Sequence, residues 1–196
     1  MSLRLVIMGP QGSGKGTQAS LLAERLGVVT VSTGDLFRSH MAAGDDLGEL
    51  AHSYTARGEL VPDEVTNAMV RRRLGEPDVE AGFILDGYPR NCDQVAALDE
   101  MLAELGTELD AVVELTADRG ELLARMAHRA EIEHREDDTA EAIARRLDIY
   151  AERTAPLTAT YAARGVLVSV DGTGEITEVA ERLASALAGR HGASTS

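Results

Sequence analysis

The segment Gly9-Pro-Gln-Gly-Ser-Gly-Lys-Gly-Thr17 constrains this chain more than any other stretch. It follows a short apolar run, LRLVIM at 3–8, and precedes a pattern in which Thr17, Leu21, Leu22 and Leu26 recur at helical spacing before Gly27. Strand, tight loop and helix is therefore the opening unit. The glycines let successive backbone N–H groups point inward, and the following helix N-terminus adds its dipole, so the segment predicts a phosphate-binding loop. Lys15 stands where a flexible point charge reaches the β- and γ-phosphates, a task that a planar guanidinium fits poorly. It is the one lysine among 19 cations, and the rest are arginines. The strict pattern wants Ser or Thr directly after the lysine, yet Gly16 stands there and Thr17 follows.

Further short apolar runs at 28–32, 82–85, 111–115 and 166–170 read as strands buried on both faces, as in a parallel sheet covered by helices. Helical patterns at about 34–43, 47–57, 63–74, 91–105, 119–130, 139–163 and 175–188 separate them. The alternation predicts an α/β fold, a five-stranded parallel sheet flanked by helices. In the longest helical pattern Ile143, Leu147, Tyr150, Thr154, Leu157 and Tyr161 form a core-facing stripe, with Pro156 kinking it. More helices lie between the second and third strands than a crossover needs, so 33–61 is expected to be a small inserted module. The length of 196 residues fits one α/β domain over 1–189, and 190–196 is expected to be a flexible tail.

The charge balance is 33 acids against 19 cations, or −14. Such a surface disfavours nucleic acid as a partner. No apolar run is long enough to span a membrane, and no basic-then-apolar leader is seen, so no membrane is expected. A single cysteine, Cys92, forms no internal disulfide, which fits a cytoplasmic location. Cys92 itself reads as a bystander, and Arg71-Arg72-Arg73 reads as a solvated helix face. The five histidines have no ligand spacing.

Ile84-Leu85-Asp86 ends an apolar strand in an acid, which beside a phosphate loop is where a carboxylate holds the waters of a nucleotide-bound Mg²⁺. Asp86-Gly-Tyr-Pro-Arg90 continues into a turn, and Thr33-Gly-Asp-Leu-Phe-Arg38 opens the inserted module. With these motifs in this order, from about Leu5 to Leu183, the chain resembles the adenylate kinase family of nucleoside monophosphate kinases. GKGT is that family's own form of the loop, which accounts for Gly16. The resemblance implies a P-loop NTPase-like fold in which 33–61 is the NMP-binding module. It also implies a reversible, Mg²⁺-dependent transfer of the ATP γ-phosphoryl group to AMP, giving two ADP.

The same resemblance implies roles for individual residues. Gly12, Ser13, Gly14, Lys15, Gly16 and Thr17 would wrap the ATP phosphates. Thr33 and Gln94 would contact the AMP adenine, and Arg38 and Arg90 would clamp its phosphate. Backbone groups of Glu59, Leu60 and Val61 and of the Gly87, Tyr88 and Pro89 turn would also face AMP. Arg125 and Arg129, four apart and so on one helix face, would contact the ATP adenine and phosphates. Arg135 and Arg146 would embrace the transferring group, with Asp137 and Asp138 positioning the lid, and Gly174 would offer its carbonyl to the ATP base. The neighbour Arg145 is expected to point elsewhere. Only about ten residues, near 129–138, separate the two arginine-bearing helices, which resembles the short-lid form. One cysteine cannot build the four-Cys zinc site of long lids, so no zinc is expected. A monomer is expected.

Phosphoryl transfer between two polyanions needs alignment and neutralisation rather than a general base, and arginine forks suit phosphate geometry. A UMP/CMP kinase is the runner-up, but such relatives typically carry Ala and Asn where Thr33 and Gln94 stand. A GTPase switch would want Asn-Lys-x-Asp, which a chain whose one lysine is Lys15 cannot supply. A silent nucleotide binder would be expected to lack some of the arginines, and none is missing.

Overall fold

A computed structural model describes the backbone of residues 3–133 and 139–193 and the side chains of 3–126, 139 and 141–189. Five strands, β1 (Leu3–Met8), β2 (Val29–Ser32), β3 (Gly82–Asp86), β4 (Ala111–Thr116) and β5 (Leu167–Asp171), form one sheet in the order β2-β3-β1-β4-β5. Every pairing is parallel. The strands are apolar on both faces because both faces are covered, as the runs in the sequence predict. On one face Val6, Met8, Val31, Phe83, Leu85 and Val112 join a core with Leu98, Met101, Leu157 and Tyr161. On the other, Leu5, Ile7, Ile84, Val113 and Leu115 pack with Leu22, Val179 and Leu183. Each such buried side chain contributes about 1.5–3 kcal/mol of transfer free energy.

Helix α1 (Lys15–Leu26) follows β1, and α2 (Thr33–Ala43), α3 (Asp46–Thr55) and α4 (Asp63–Leu74) lie between β2 and β3. Local chemistry fixes their ends. Ser32 caps α2 through Asp35 N, Asp45 caps α3 through Gly48 N, and Gly27 and Gly44 close α1 and α2 in left-handed conformations. Phe37, Ala51, Val61 and Met69 give the inserted helices a small core of their own. Helix α5 (Cys92–Glu104) leads to β4, α6 (Arg119–Glu133) follows it, and α9 (Ile176–Ala193) comes last, running beyond the 188 at which the periodicity ends.

Two features differ from the sequence expectations. The helical pattern at 139–163 is not one kinked helix but α7 (Ala140–Ile149), a π-turn over Tyr150–Thr154, and α8 (Leu157–Ala163). Pro156 has no N–H to donate and its ring crowds the preceding turn, and the wider turn, closed by Ala155 N–H to Tyr150 O at 2.8 Å, absorbs the misfit. The stripe consequently splits. Ile143 and Leu147 pack with Leu122 and Met126 of α6, whereas Leu157 and Tyr161 enter the main core. The arginine run also divides. Arg71 and Arg72 are exposed, but both terminal nitrogens of the mostly buried Arg73 bond Asp78 at 2.7 Å, tying α4 to the turn before β3.

The strand order sets the site. The chain leaves β1 toward β2 and β3 on one side, then crosses to β4 and β5 on the other. A crevice therefore opens beyond the C-terminal end of β1, the place where ligands bind in open α/β sheets.

Candidate active site

The phosphate loop occupies that crevice. Gly14, in the left-handed conformation (φ +88°), precedes the first residue of α1, so Lys15 begins the helix. Its Nζ donates to Pro10 O at 2.9 Å across the loop. At Gly12 (φ +86°) a Cβ would lie 2.9 Å from Leu122 O and 3.1 Å from Met126 Cγ, so glycine lets α6 close against the loop. Ser13 is 1% exposed, and its Oγ finds no hydrogen-bond partner among the described residues. Gly16 and Thr17 are exposed on the first turn of α1.

Asp86 ends β3 level with Ser32, the last residue of β2, and with Ile7, the last but one of β1. A Cβ built on Gly16 would lie 3.7 Å from Asp86 Oδ2, so the carboxylate fronts the first turn of α1 across a position that carries no side chain. A hard oxygen donor at the foot of a phosphate loop, with space before it, fits a divalent cation held through water.

From Asp86 the chain turns sharply into a cleft that gathers most of the residues singled out in the sequence. Lys15, Thr33, Arg38, Glu59, Leu60, Val61, Asp86, Gly87, Tyr88, Pro89, Arg90, Gln94 and Arg146 all line it. Thr33 is 2% exposed and donates to Gly87 O at 3.1 Å. Arg38 pairs with Asp35 one turn earlier on α2. Arg90 is held at three points. Its N–H donates to Gln94 Oε1 at 2.8 Å, its Nε donates to Gly87 O at 2.8 Å, and its carbonyl accepts from Thr154 Oγ1 at 2.9 Å. Burial lowers its pKa below the ordinary arginine value, Asp86 opposes that and Arg146 adds to it. An arginine stays charged through such shifts, so two guanidinium groups and a carboxylate share one electrostatic environment.

Arg146 reaches the inserted helices from α7, and its Nη2 donates to Thr55 O, at the end of α3, at 3.0 Å. The approach is close enough that Gly58 (φ +70°) would place a Cβ 2.5 Å from Ala142 O. Arg145, by contrast, is exposed.

A second group lies beside the phosphate loop rather than in that cleft. Arg125 pairs with Glu121 and donates from Nη1 to Gly172 O at 3.0 Å. A Cβ on Gly172 would come within 3.2 Å of Ser13 O, so the β5–α9 loop abuts the phosphate loop, and Gly174 (φ +97°) follows in it. Arg129 occupies the next turn of α6, its side chain beyond those described, and Arg135, Asp137 and Asp138 lie outside the described residues. Cys92 is exposed at the start of α5.

Two participants were not picked out from the sequence. Thr154 reads there as one more stripe residue, yet the π-turn directs its hydroxyl to the Arg90 carbonyl. Its position two residues before a proline in a helical pattern was the available signal. Thr154→Val keeps the shape and leaves that carbonyl without its donor. It is expected to lower stability by about 1–3 kcal/mol in urea unfolding with an unchanged m-value. Asp63 is in the sequence only the first position of the 63–74 helical pattern, yet its carboxylate binds the side chains of Asn91 and Gln94.

Comparison with known proteins gives the family. The family model described as "Adenylate kinase" matches residues 7–166. Adenylate kinase of Thermobifida fusca is 53% identical over 188 residues, covering 96% of this chain and 100% of the relative. That of Bifidobacterium longum is 57% identical over 185 residues, covering 94% and 100%, and that of a Nocardioides species is 51% identical over 185 residues, covering 94% and 97%. Likeness of this extent spans the phosphate loop, the Asp86–Arg90 turn and the helices that carry the arginines, and on it the chain belongs to the adenylate kinase family of nucleoside monophosphate kinases.

Proposed function

We propose that this enzyme transfers the γ-phosphoryl group of ATP reversibly to AMP, with Mg²⁺, giving two ADP. The observation that carries the reading is the convergence of Lys15, Arg38, Arg90, Arg146 and Asp86 on one cleft, beside a buried Thr33 and Gln94. The ATP phosphates lie along Gly12–Thr17, with Lys15 on the β- and γ-phosphates and Arg125 and Arg129 on the donor nucleotide. AMP lies against Glu59–Val61 and Gly87–Pro89, its base toward Thr33 and Gln94 and its phosphate toward Arg38 and Arg90. Arg135 and Arg146 flank the group in flight, with Asp137 and Asp138 ordering the lid. Gly174 offers its carbonyl to the donor base. Asp86 would hold Mg²⁺ through water, and the ion would neutralise charge on the β- and γ-oxygens.

The reaction follows from this arrangement. An oxygen of the AMP phosphate attacks the γ-phosphorus in line, one P–O bond forms, and the bond to the β–γ bridging oxygen breaks as ADP leaves. The attacking phosphate is already ionised at neutral pH, with a second pKa near 6, so no general base is required. Catalysis is alignment plus neutralisation of the charge on the equatorial oxygens, which the lysine and arginines supply. An acidic protein thus handles two polyanions by gathering cations in one cleft.

The test is a coupled assay with ATP and a panel of AMP, CMP, UMP and GMP. AMP is expected to give by far the highest kcat/KM, and EDTA is expected to abolish turnover. Equal or greater activity with CMP or UMP would replace the acceptor assignment.

A further inference from the structure

Gln94 is 2% exposed, and both ends of its side-chain amide are engaged. Nε2 donates to Asp63 Oδ1 at 2.6 Å, and Oε1 accepts the Arg90 N–H at 2.8 Å. Asp63 is the first residue of α4, and its carboxylate also accepts from Asn91 Nδ2 at 3.1 and 3.0 Å. Asn91 Oδ1 in turn accepts the Gln94 backbone N–H at 2.9 Å, so the three side chains close a ring. One turn along α4, Asn67 accepts from the Tyr88 hydroxyl at 2.7 Å, pinning the same helix face to the Asp86–Arg90 turn.

An ionised carboxylate only accepts hydrogen bonds. Gln94 can therefore present its NH₂ to Asp63 but not its carbonyl. A glutamine amide without such a partner can turn over and exchange donor for acceptor. With two bonds committed, Gln94 retains one N–H and one carbonyl lone pair, and their order is fixed. Adenine carries a ring acceptor beside an amino donor. Hypoxanthine and guanine carry a ring N–H beside a carbonyl, the reverse order, which would suit the overturned amide.

We propose that Asp63 is a positioning residue that sets the selectivity for the acceptor base by locking the Gln94 amide in one of its two orientations. The proposal rests on the assignment of Gln94 to the AMP base made above. With Asp63 in place, turning the amide over forfeits both the Arg90 N–H bond and a charge-assisted bond to the carboxylate. With asparagine at position 63 only the first is forfeited, because an asparagine amide can donate or accept.

The test compares wild type, Asp63→Asn and Glu64→Gln. Glu64→Gln removes the same charge from an exposed residue on the same turn. Asp63→Asn is expected to lower the preference for AMP over IMP, as a ratio of kcat/KM values, about tenfold. KM for AMP should rise, while KM for ATP and kcat at saturating AMP stay within about twofold. Glu64→Gln should keep the wild-type ratio. An unchanged AMP:IMP ratio in Asp63→Asn would overturn the proposal. Wild-type protein without nucleotide supplies a readout independent of any variant: the Gln94 side-chain N–H bonded to Asp63 should exchange slowly with solvent, and rapid exchange of that proton would also overturn it. Wild type that does not prefer AMP at all would instead contradict the assignment of Gln94, a result separable from both.

Discussion

Lys15→Met is expected to lower kcat by at least about 10²-fold while the protein stays folded. Methionine preserves an unbranched stem of similar reach and removes only the ammonium. Lys15 is half-buried at the start of α1, and its Nζ bonds a carbonyl of its own loop. The charge therefore contributes little to the core, and the melting temperature should move by only a few degrees, as about 1 kcal/mol would for a chain of this size. The full effect falls on the phosphates, where negative charge shifts as the β–γ bond breaks. No second lysine exists in the sequence to substitute for it. Turnover near the wild-type value would remove the phosphate loop from the chemistry.

Arg90→Ala is the second large effect, a loss of about 10²–10³-fold in kcat/KM for AMP with KM for ATP little changed. The backbone at this position is fixed from both sides, by Gln94 Oε1 on its N–H and by Thr154 Oγ1 on its carbonyl. Truncating the side chain therefore leaves the turn in place and removes a guanidinium that lies in the field of Asp86 and Arg146. Arg90→Lys should recover little of the loss, because an ammonium cannot make the paired, planar contacts of an arginine fork to a phosphate. Steady-state kinetics varying AMP and ATP separately check both variants. A rise in KM for ATP equal to that for AMP would place Arg90 on the donor side instead.

Much of the fold was legible because its strands are buried on both faces. Runs such as Leu5–Met8 and Phe83–Leu85 could belong to little else than a covered parallel sheet, and the glycine loop marked where β1 gave way to α1. The π-turn was not legible. A stripe of apolar residues keeps its spacing whether or not one carbonyl skips an extra residue, and only Pro156 hinted at the break. Arg73 shows the same limit, since a run of three arginines does not reveal which one folds back onto Asp78.

The candidate site was legible in its charged members and not in the residues that hold them. Lys15, Asp86, Arg90 and Arg146 announce themselves by type and place, and the cleft brings them together. Asp63 and Thr154 act through contacts made across 31 and 64 positions in sequence, with Gln94 and Arg90 respectively. At the level of local pattern a helix-start aspartate and a stripe threonine already have sufficient explanations, in the helix dipole and in packing. Their second roles depend on α4 and the π-turn meeting at one turn of chain, which is a property of the assembled fold.

The central claim is that one cleft moves a phosphoryl group between two adenine nucleotides. Phosphorus NMR of the enzyme with ADP and Mg²⁺ as the only nucleotide and metal tests it most directly. ADP is expected to be converted to ATP and AMP in equal amounts, with no inorganic phosphate. Release of inorganic phosphate with AMP, or ADP that remains unchanged, would contradict it.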